Sequence, residues 1–335
     1  MDIKRLDEST LDSQISVYRQ AFGKETTLAE IREHWIKKHF HNPIESSLIF
    51  GAFEDGELVG MNAYMPCCYT YKGEKIYVLQ SCESGVLPSQ QGKGIWGKVV
   101  RYAVDYIFRE TRYVAIIGFP NYRNSYPGFK KMGWKTLFQM NNMILVNSGS
   151  AFADSISHGR KVIKLLGRAS VILRLPLWFS SRRYADAVAE DCPIDMALWD
   201  DDSSKMTIDH SPLWCQWKSD YKKMKCISLK LGGEFVASCI YGIDHFEGND
   251  VVRLDKISFK KDVKFSRKCA LAKILKLLKK KYPSAAFIRT WTLDNNSVFK
   301  KLGFLKSSHP NPFIITEQNK MLSDLPWDLS FFDLD

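Results

Sequence analysis

The chain contains no CxxC pair, no GxSxG string and no apolar run long enough to cross a membrane. Each absence removes a class of function. The eight cysteines are scattered, Cys67-Cys68 is their one close pair, and none of the seven histidines stands at zinc spacing from a cysteine, so no metal site is expected. The thiols read as free, small core residues of a protein in a reducing cytoplasm. The longest apolar stretch, near Val171-Ile172-Leu173, stops at Arg174. Met1-Asp2-Ile3-Lys4-Arg5-Leu6-Asp7 alternates charge with apolar residues and has no apolar core of a secretory signal, so none is expected.

What is present is ordinary globular material. Of 335 residues, 45% are hydrophobic and 25% charged, which predicts a soluble protein of two domains of roughly 150 residues each. The 48 Lys and Arg against 37 Asp and Glu leave a net charge of +11, a surface that favours anionic partners such as phosphorylated cofactors, nucleotide-linked substrates, RNA or an acidic membrane face. The run Lys276-Leu277-Leu278-Lys279-Lys280-Lys281 closes a helical pattern, where cations complement the helix dipole.

The apolar periodicity predicts a short strand at Ile3 and Leu6, then a helix from Thr10 to Phe22 capped by Ser9 or Thr10. Thr27 caps a second helical pattern through Ile31, Trp35, Ile36 and His39. Runs Ser47 to Phe53, Leu58 to Tyr69 and Ile76 to Leu87, turning at Asp55-Gly56 and near Gly73, predict an antiparallel meander. A helix over Gly94 to Phe108, a buried strand over Tyr113 to Phe119, a short helix to Lys131 and a long strand or hairpin over Lys135 to Val146 complete an α/β unit ending near residue 150. Residues 151–190 read as a basic, amphipathic helical connector; packing between domains is the preferred reading and peripheral membrane contact the lesser one.

The second half repeats the first. Phe129-Lys130-Lys131-Met132-Gly133-Trp134 returns as Phe299-Lys300-Lys301-Leu302-Gly303-Phe304, each copy after an apolar strand and an Asn-Ser pair (Asn124-Ser125; Asn296-Ser297). Two copies a domain length apart indicate duplication. They differ at one place: Gln91-Gly92-Lys93-Gly94 faces Lys260-Lys261-Asp262-Val263-Lys264, which has no glycine. Only the first half can bring its main chain close to a phosphate.

Gly92-Lys93-Gly94-Ile95-Trp96-Gly97 matches GxGxxG, but a meander precedes it and the next strand ends Gly118-Phe119-Pro120-Asn121 without the carboxylate a dinucleotide site needs. The longer string says more. Pro88 ends a strand, Gly92 and Gly94 leave the backbone bare, and a helix start beside them offers unpaired N–H groups, while Lys93 and Lys98 add charge. That combination is a pyrophosphate cradle.

With these residues the sequence resembles the GCN5-related N-acetyltransferase (GNAT) family, whose acetyl-CoA motif is Gln/Arg-x-x-Gly-x-Gly/Ala; this chain has Gln91-Gly92-Lys93-Gly94-Ile95-Trp96, alike in all but the last position. The resemblance covers residues 1–146 in element order, with the specific motifs between 83 and 134. It implies a mixed, mostly antiparallel sheet in tandem GNAT-like domains: residues 1–150 bind acyl-CoA, 151–190 connect, and 191–335 form a degenerate copy. Duplicated chains of this length resemble acyltransferases of bacterial polysaccharide and amino-sugar pathways and, less closely, aminoacyl-tRNA-dependent peptidoglycan enzymes.

The resemblance further implies a cleft between the fourth and fifth strands, where main-chain groups of Val86 and Leu87 pair with pantetheine and an amide polarises the thioester carbonyl. Gln91, Gly92, Lys93, Gly94 and Ile95 would hold the diphosphate, and Asn121, Asn124 or Ser125 would bond the cofactor from the next strand end. Two positions depart from the family pattern: Trp96 fills a small-residue position, and Phe129 stands where many members carry the tyrosine that protonates the leaving thiolate. Tyr126 is the nearest substitute acid. Glu83, on the strand leading to the loop, is the candidate base, with a pKa expected to rise in a low-dielectric cleft. The acidic, aromatic tail Phe331-Phe332-Asp333-Leu334-Asp335 is expected to fray rather than reach that cleft. The function implied is N-acyl transfer from acetyl-CoA or a short acyl-CoA to a primary amine of a small molecule, an amino sugar or its nucleotide-linked form, by direct attack. Aminoacyl transfer from tRNA, which the charge would suit, and a non-catalytic CoA-binding protein are the competing readings.

Overall fold

The computed structural model describes residues 1–23, 26–157, 177, 180–182, 184, 186–261, 263–293, 297–307 and 310–334. Most of the expected 151–190 connector, as well as Asp262, Asn296 and Asp335, lies outside the described residues.

The first half runs Asp2–Leu6 (β1), Leu11–Phe22 (α1), Leu28–Trp35 (α2), Leu48–Glu54 (β2), Glu57–Tyr71 (β3), Glu74–Val86 (β4), Ile95–Glu110 (α3), Ala115–Gly118 (β5), Tyr126–Lys131 (α4) and Lys135–Val146 (β6), the order predicted from its periodicity. Thr27 forms a reciprocal capping box with Glu30, its hydroxyl accepting from the Glu30 N–H at 3.3 Å while the Glu30 carboxylate accepts from the Thr27 N–H at 3.0 Å. The first cap differs from expectation. A 3₁₀ turn over Glu8–Thr10 precedes α1, so Asp7 rather than Ser9 or Thr10 supplies the capping oxygen, to the Ser9 N–H at 2.9 Å.

After Gly149–Ser157 (α5), the second half contributes Ala187–Cys192 (β7), Thr207–Ile208 (β8), Pro212–Lys222 (α6), Lys225–Leu231 (β9), Glu234–Phe246 (β10), Asn249–Phe259 (β11), Arg267–Lys281 (α7), Phe287–Thr292 (β12), Ser297–Lys301 (α8), Leu305–Lys306 (β13) and Asn311–Glu317 (β14). Meander, helix, parallel strand and short helix recur in the same order as β2–β3–β4–α3–β5–α4. The duplication read in the sequence thus has a structural counterpart.

Among the described residues the strands make one mixed, mostly antiparallel sheet, in the order β1-β2-β3-β4-β5-β14-β6-β12-β11-β10-β9-β7. Three features join the halves, the first being the short β8, which pairs with β3 at Tyr69 and Thr70. Strand β6 pairs with β14 through residues Lys135 to Met140 and with β12 through Asn141 to Val146. Strand β14 comes from the end of the chain yet lies between β5 and β6. The apolar core is shared accordingly: Trp35, Ile49 and Met61 belong to the same cluster as Trp214, Trp217, Phe331 and Phe332. Each such side chain withdrawn from water stabilises the fold by about 1.5–3 kcal/mol.

Candidate active site

Strands β4 and β5 are parallel and pair over only three positions, Leu79 with Ile116, Gln80 with Ile117 and Ser81 with Gly118. Beyond them β4 continues to Val86 without β5, which has ended. The parting opens a cleft of about 790 Å³, lined by Ser81 to Val86 on one side and Gly118 to Asn121 on the other. Strands β11 and β12 repeat the geometry, pairing over three positions and then opening a cleft of about 490 Å³. Only the first cleft leads to a glycine loop.

That loop has a geometry that suits an anion. Gly92 (φ 82°) and Gly94 (φ 73°) adopt left-handed conformations that cost other residues, and nothing lies within 4 Å of where a Cβ would stand on either. Gly94 is the N-cap of α3 and offers no side chain, so the first N–H groups of a 16-residue helix have no capping partner. Open backbone, orphan donors and the helix dipole together fit a diphosphate. Trp96 does not obstruct it. Its ring packs edge-on against Phe129 at 4.9 Å and over Gly128, where a Cβ would stand 2.3 Å from the indole.

On β4, ahead of the loop, two backbone irregularities meet at one carboxylate. The β3–β4 register shifts between Met61 and Ala63, so that Cys82 to Gly85 bulge around Asn62, and Glu83 is forced to φ 42°. Asn62, fully buried, ties the bulge by donating to Ser81 Oγ at 3.1 Å and accepting from the Ser84 hydroxyl. Helix α2 runs into a π-helical turn, Ile36–Phe40, which turns both Lys38 and His39 toward Glu83. The Lys38 ammonium bonds Glu83 Oε1, and His39 Nε2 stands 3.3 Å from Oε2 while its Nδ1 lies 2.9 Å from Ser47 Oγ. Side chains of Lys38 and Glu83 are 2% and 9% exposed. Local strain of this kind persists only where surrounding structure enforces it, and it gathers at functional sites.

The environment reverses the expected ionisation of Glu83. Burial by itself pushes the carboxyl up, but Lys38 and then His39 outweigh it and hold the group well below the usual carboxylate range. Glu83 is therefore ionised and paired, not poised as a base of raised pKa. His39, Cys82 and Glu83 bring donor atoms within 4.8 Å of one another, and the internal ammonium of Lys38 already supplies the positive charge there.

The remaining expected residues divide. Val86, Gln91, Asn121, Asn124 and Ser125 line the cleft with Glu83 and Phe129; Leu87, Gly92, Lys93, Gly94 and Ile95 are outside its lining. The Leu87 N–H donates to Val59 O at 2.9 Å, so it is not the amide that polarises a carbonyl. Gln91 Nε2 reaches back to Val86 O at 3.2 Å, and Lys93 Nζ bonds Gln90 Oε1 at 2.5 Å. The Ile95 side chain is buried, leaving its main chain to face the loop. Asn121 Oδ1 accepts from the N–H groups of Arg123 and Asn124, an Asx turn that shapes the strand end. Tyr126 is not brought into the lining: its hydroxyl is 3.0 Å from Thr136 Oγ1 and its ring stacks on Tyr122 at 5.6 Å.

Sequence reasoning missed Lys38, His39 and Asn62. In Lys37-Lys38-His39-Phe40-His41 the basic run looks like an ordinary dipole-complementing helix end; the π-helical turn that redirects it has no local signature. It also misjudged the tail. Phe331, Phe332 and Asp333 are buried, Phe331 stacks on Trp291 at 4.1 Å, the Phe332 N–H donates to Asp255 O at 3.0 Å, and Leu334 lines the cleft. Stacking and main-chain pairing hold what a terminal segment would otherwise lose to entropy.

Residues 2–137 match the model of the acetyltransferase (GNAT) domain family. Solved structures share the fold over nearly the whole chain. A GCN5-related N-acetyltransferase from Anabaena variabilis ATCC 29413 superposes with a TM-score of 0.60 at 9% identity, over 94% of this chain and 72% of that one. A conserved protein of unknown function and probable N-acyltransferase from Enterococcus faecalis V583 gives 0.62 at 11% identity, over 94% and 72%. Eis1 from Mycobacterium abscessus gives 0.54 at 11% identity, over 95% and 74%. No curated protein matches the sequence. With that match, the chain is an enzyme of the N-acyltransferase class. Acyl transfer from acetyl-CoA is that family's general activity. No described helix is long and apolar enough to cross a membrane.

Proposed function

We propose that this chain transfers an acetyl or short acyl group from acyl-CoA to the primary amine of a small molecule, an amino sugar or its nucleotide-linked form, by direct attack. The observation that carries the reading is the bare left-handed loop at Gly92 and Gly94, beside the uncapped start of α3 and leading from a cleft that contains Glu83. The thioester supplies a carbonyl that reacts with amines without further activation. Main-chain N–H groups from Gly92 to Ile95 hold the diphosphate, and Lys93 adds a mobile charge. Val86 offers its main chain to the pantetheine arm. Gln91, Asn121, Asn124 and Ser125 orient the carrier from the cleft wall. Glu83 faces the acceptor amine, and Phe129 walls the cleft where a hydroxyl would otherwise stand.

A surplus of +11 charge would also suit an aminoacyl-tRNA donor, but the open glycine loop favours CoA. Acetyl-CoA is expected to raise Tm while NADH does not, with the shift lost in Gly94→Glu, which places a bulky anion on the loop. A shift that survives Gly94→Glu, or binding of tRNA that collapses with salt in place of acetyl-CoA binding, refutes the reading.

A further inference from the structure

We infer that the site is selective for weakly basic amines, α-amines and their like, because Lys38 and His39 occupy the carboxylate that would otherwise receive an ammonium. The inference rests on the acyl-CoA reading above and names the acceptor's chemical class.

Glu83 is the only carboxylate lining the cleft among the described residues. Its facing groups are Lys38 and His39 from the π-helical turn and Cys82 from its own strand; Tyr221 of α6 stands behind, its ring 6.0 Å from Lys38 Nζ. The ends of α1 and β5 contribute Ala21, Phe22, Gly118 and Phe119, which carry no charge. With a neutral imidazole the Lys38–His39–Glu83 group sums to zero, and with a protonated one to +1. Neither attracts a second ammonium. A carboxylate stabilised as the anion is also a poor proton acceptor, so the acceptor must shed its ammonium proton to water before it enters. The neutral amine then forms the C–N bond as the C–S bond breaks, and the departing thiolate takes the proton that the nitrogen releases.

Selection follows from the acceptor's own ionisation. An α-amine titrates near 7.7–8.0 and a lysine-type ε-amine near 10.4, so at pH 7 their neutral fractions differ by roughly 300-fold. Amines beside electron-withdrawing ring oxygens, as in amino sugars, fall on the favoured side. Lys38 and His39 are positioning residues that act through Glu83.

The test compares free-thiol release from acetyl-CoA with two probes, an amino-acid amide offering its α-amine and an Nα-blocked lysine amide offering its ε-amine. With acetyl-CoA binding verified by thermal shift, kcat/KM at pH 7 is expected to favour the α-amine by about a hundredfold. Its pH profile should level off near 8, while that of the ε-amine keeps rising beyond 9. Lys38→Arg should keep the preference, and Lys38→Met should narrow it at least tenfold. Profiles that level off at one shared pH, equal rates for the two amines, or acetylation of neither despite acetyl-CoA binding overturn the inference; the wild-type profiles decide even if Lys38→Met does not fold. Absence of an acetyl-CoA shift refutes instead the reading on which it rests.

Discussion

Removing one member of the Lys38–Glu83 pair tests whether the site is held together by its charge. Both side chains are almost fully buried, 2% and 9% exposed, so solvent does not screen the loss. Lys38→Met leaves an ionised carboxylate in a low-dielectric wall and should cost about 3–5 kcal/mol; Glu83→Gln strands the ammonium and should cost a similar amount. The double variant removes both charges and should lose distinctly less than the sum, a coupling of about 2–3 kcal/mol in a urea-denaturation cycle. The sign with pH follows from the depressed carboxyl. Its stabilising contribution is fully present above the unfolded value near 4.3 and drains away as pH falls below that toward the folded value. Wild type and Glu83→Gln should therefore differ most at neutral pH and converge in acid. Strict additivity of the two substitutions, or a gap that does not shrink below pH 4, would show that the carboxylate is not held by the ammonium.

Two packing predictions need only stability measurements. Gly128→Ala puts a methyl 2.3 Å from the Trp96 ring and should destabilise by about 1–3 kcal/mol, with much of the loss relieved in a Trp96→Leu background; equal costs in both backgrounds would contradict the contact. Thr27→Ala removes one arm of the capping box with Glu30 and should lower stability by about 1 kcal/mol in chemical denaturation; an unchanged midpoint would rule out a contribution from the cap.

Local chemistry made much of the chain legible. The strand-like runs of β2 to β4, the helical period of α1 and α3 and the continuous apolar run at β5 are all properties of a few adjacent residues, and they appear where local pattern places them. The glycine loop was legible for the same reason, since a left-handed backbone next to a helix start demands Gly92 and Gly94 at fixed spacing. Glu83 lines the cleft, but its ionisation was read backwards. Its partners come from a helix 45 residues away, and burial without those partners would have had the opposite sign.

By itself the sequence determined the order of elements, the duplication and which half keeps a glycine loop, because each is written in short-range pattern and in the residue types that backbone geometry tolerates. Only the tertiary structure decided that β14 closes the sheet of the first half, that the tail packs beneath Trp291 and brings Leu334 to the cleft, and that a π-helical turn meets a bulge at Glu83. Those outcomes depend on pairing between distant segments. Their free energy comes from shared burial and matched charge, and no window of neighbouring residues contains both partners.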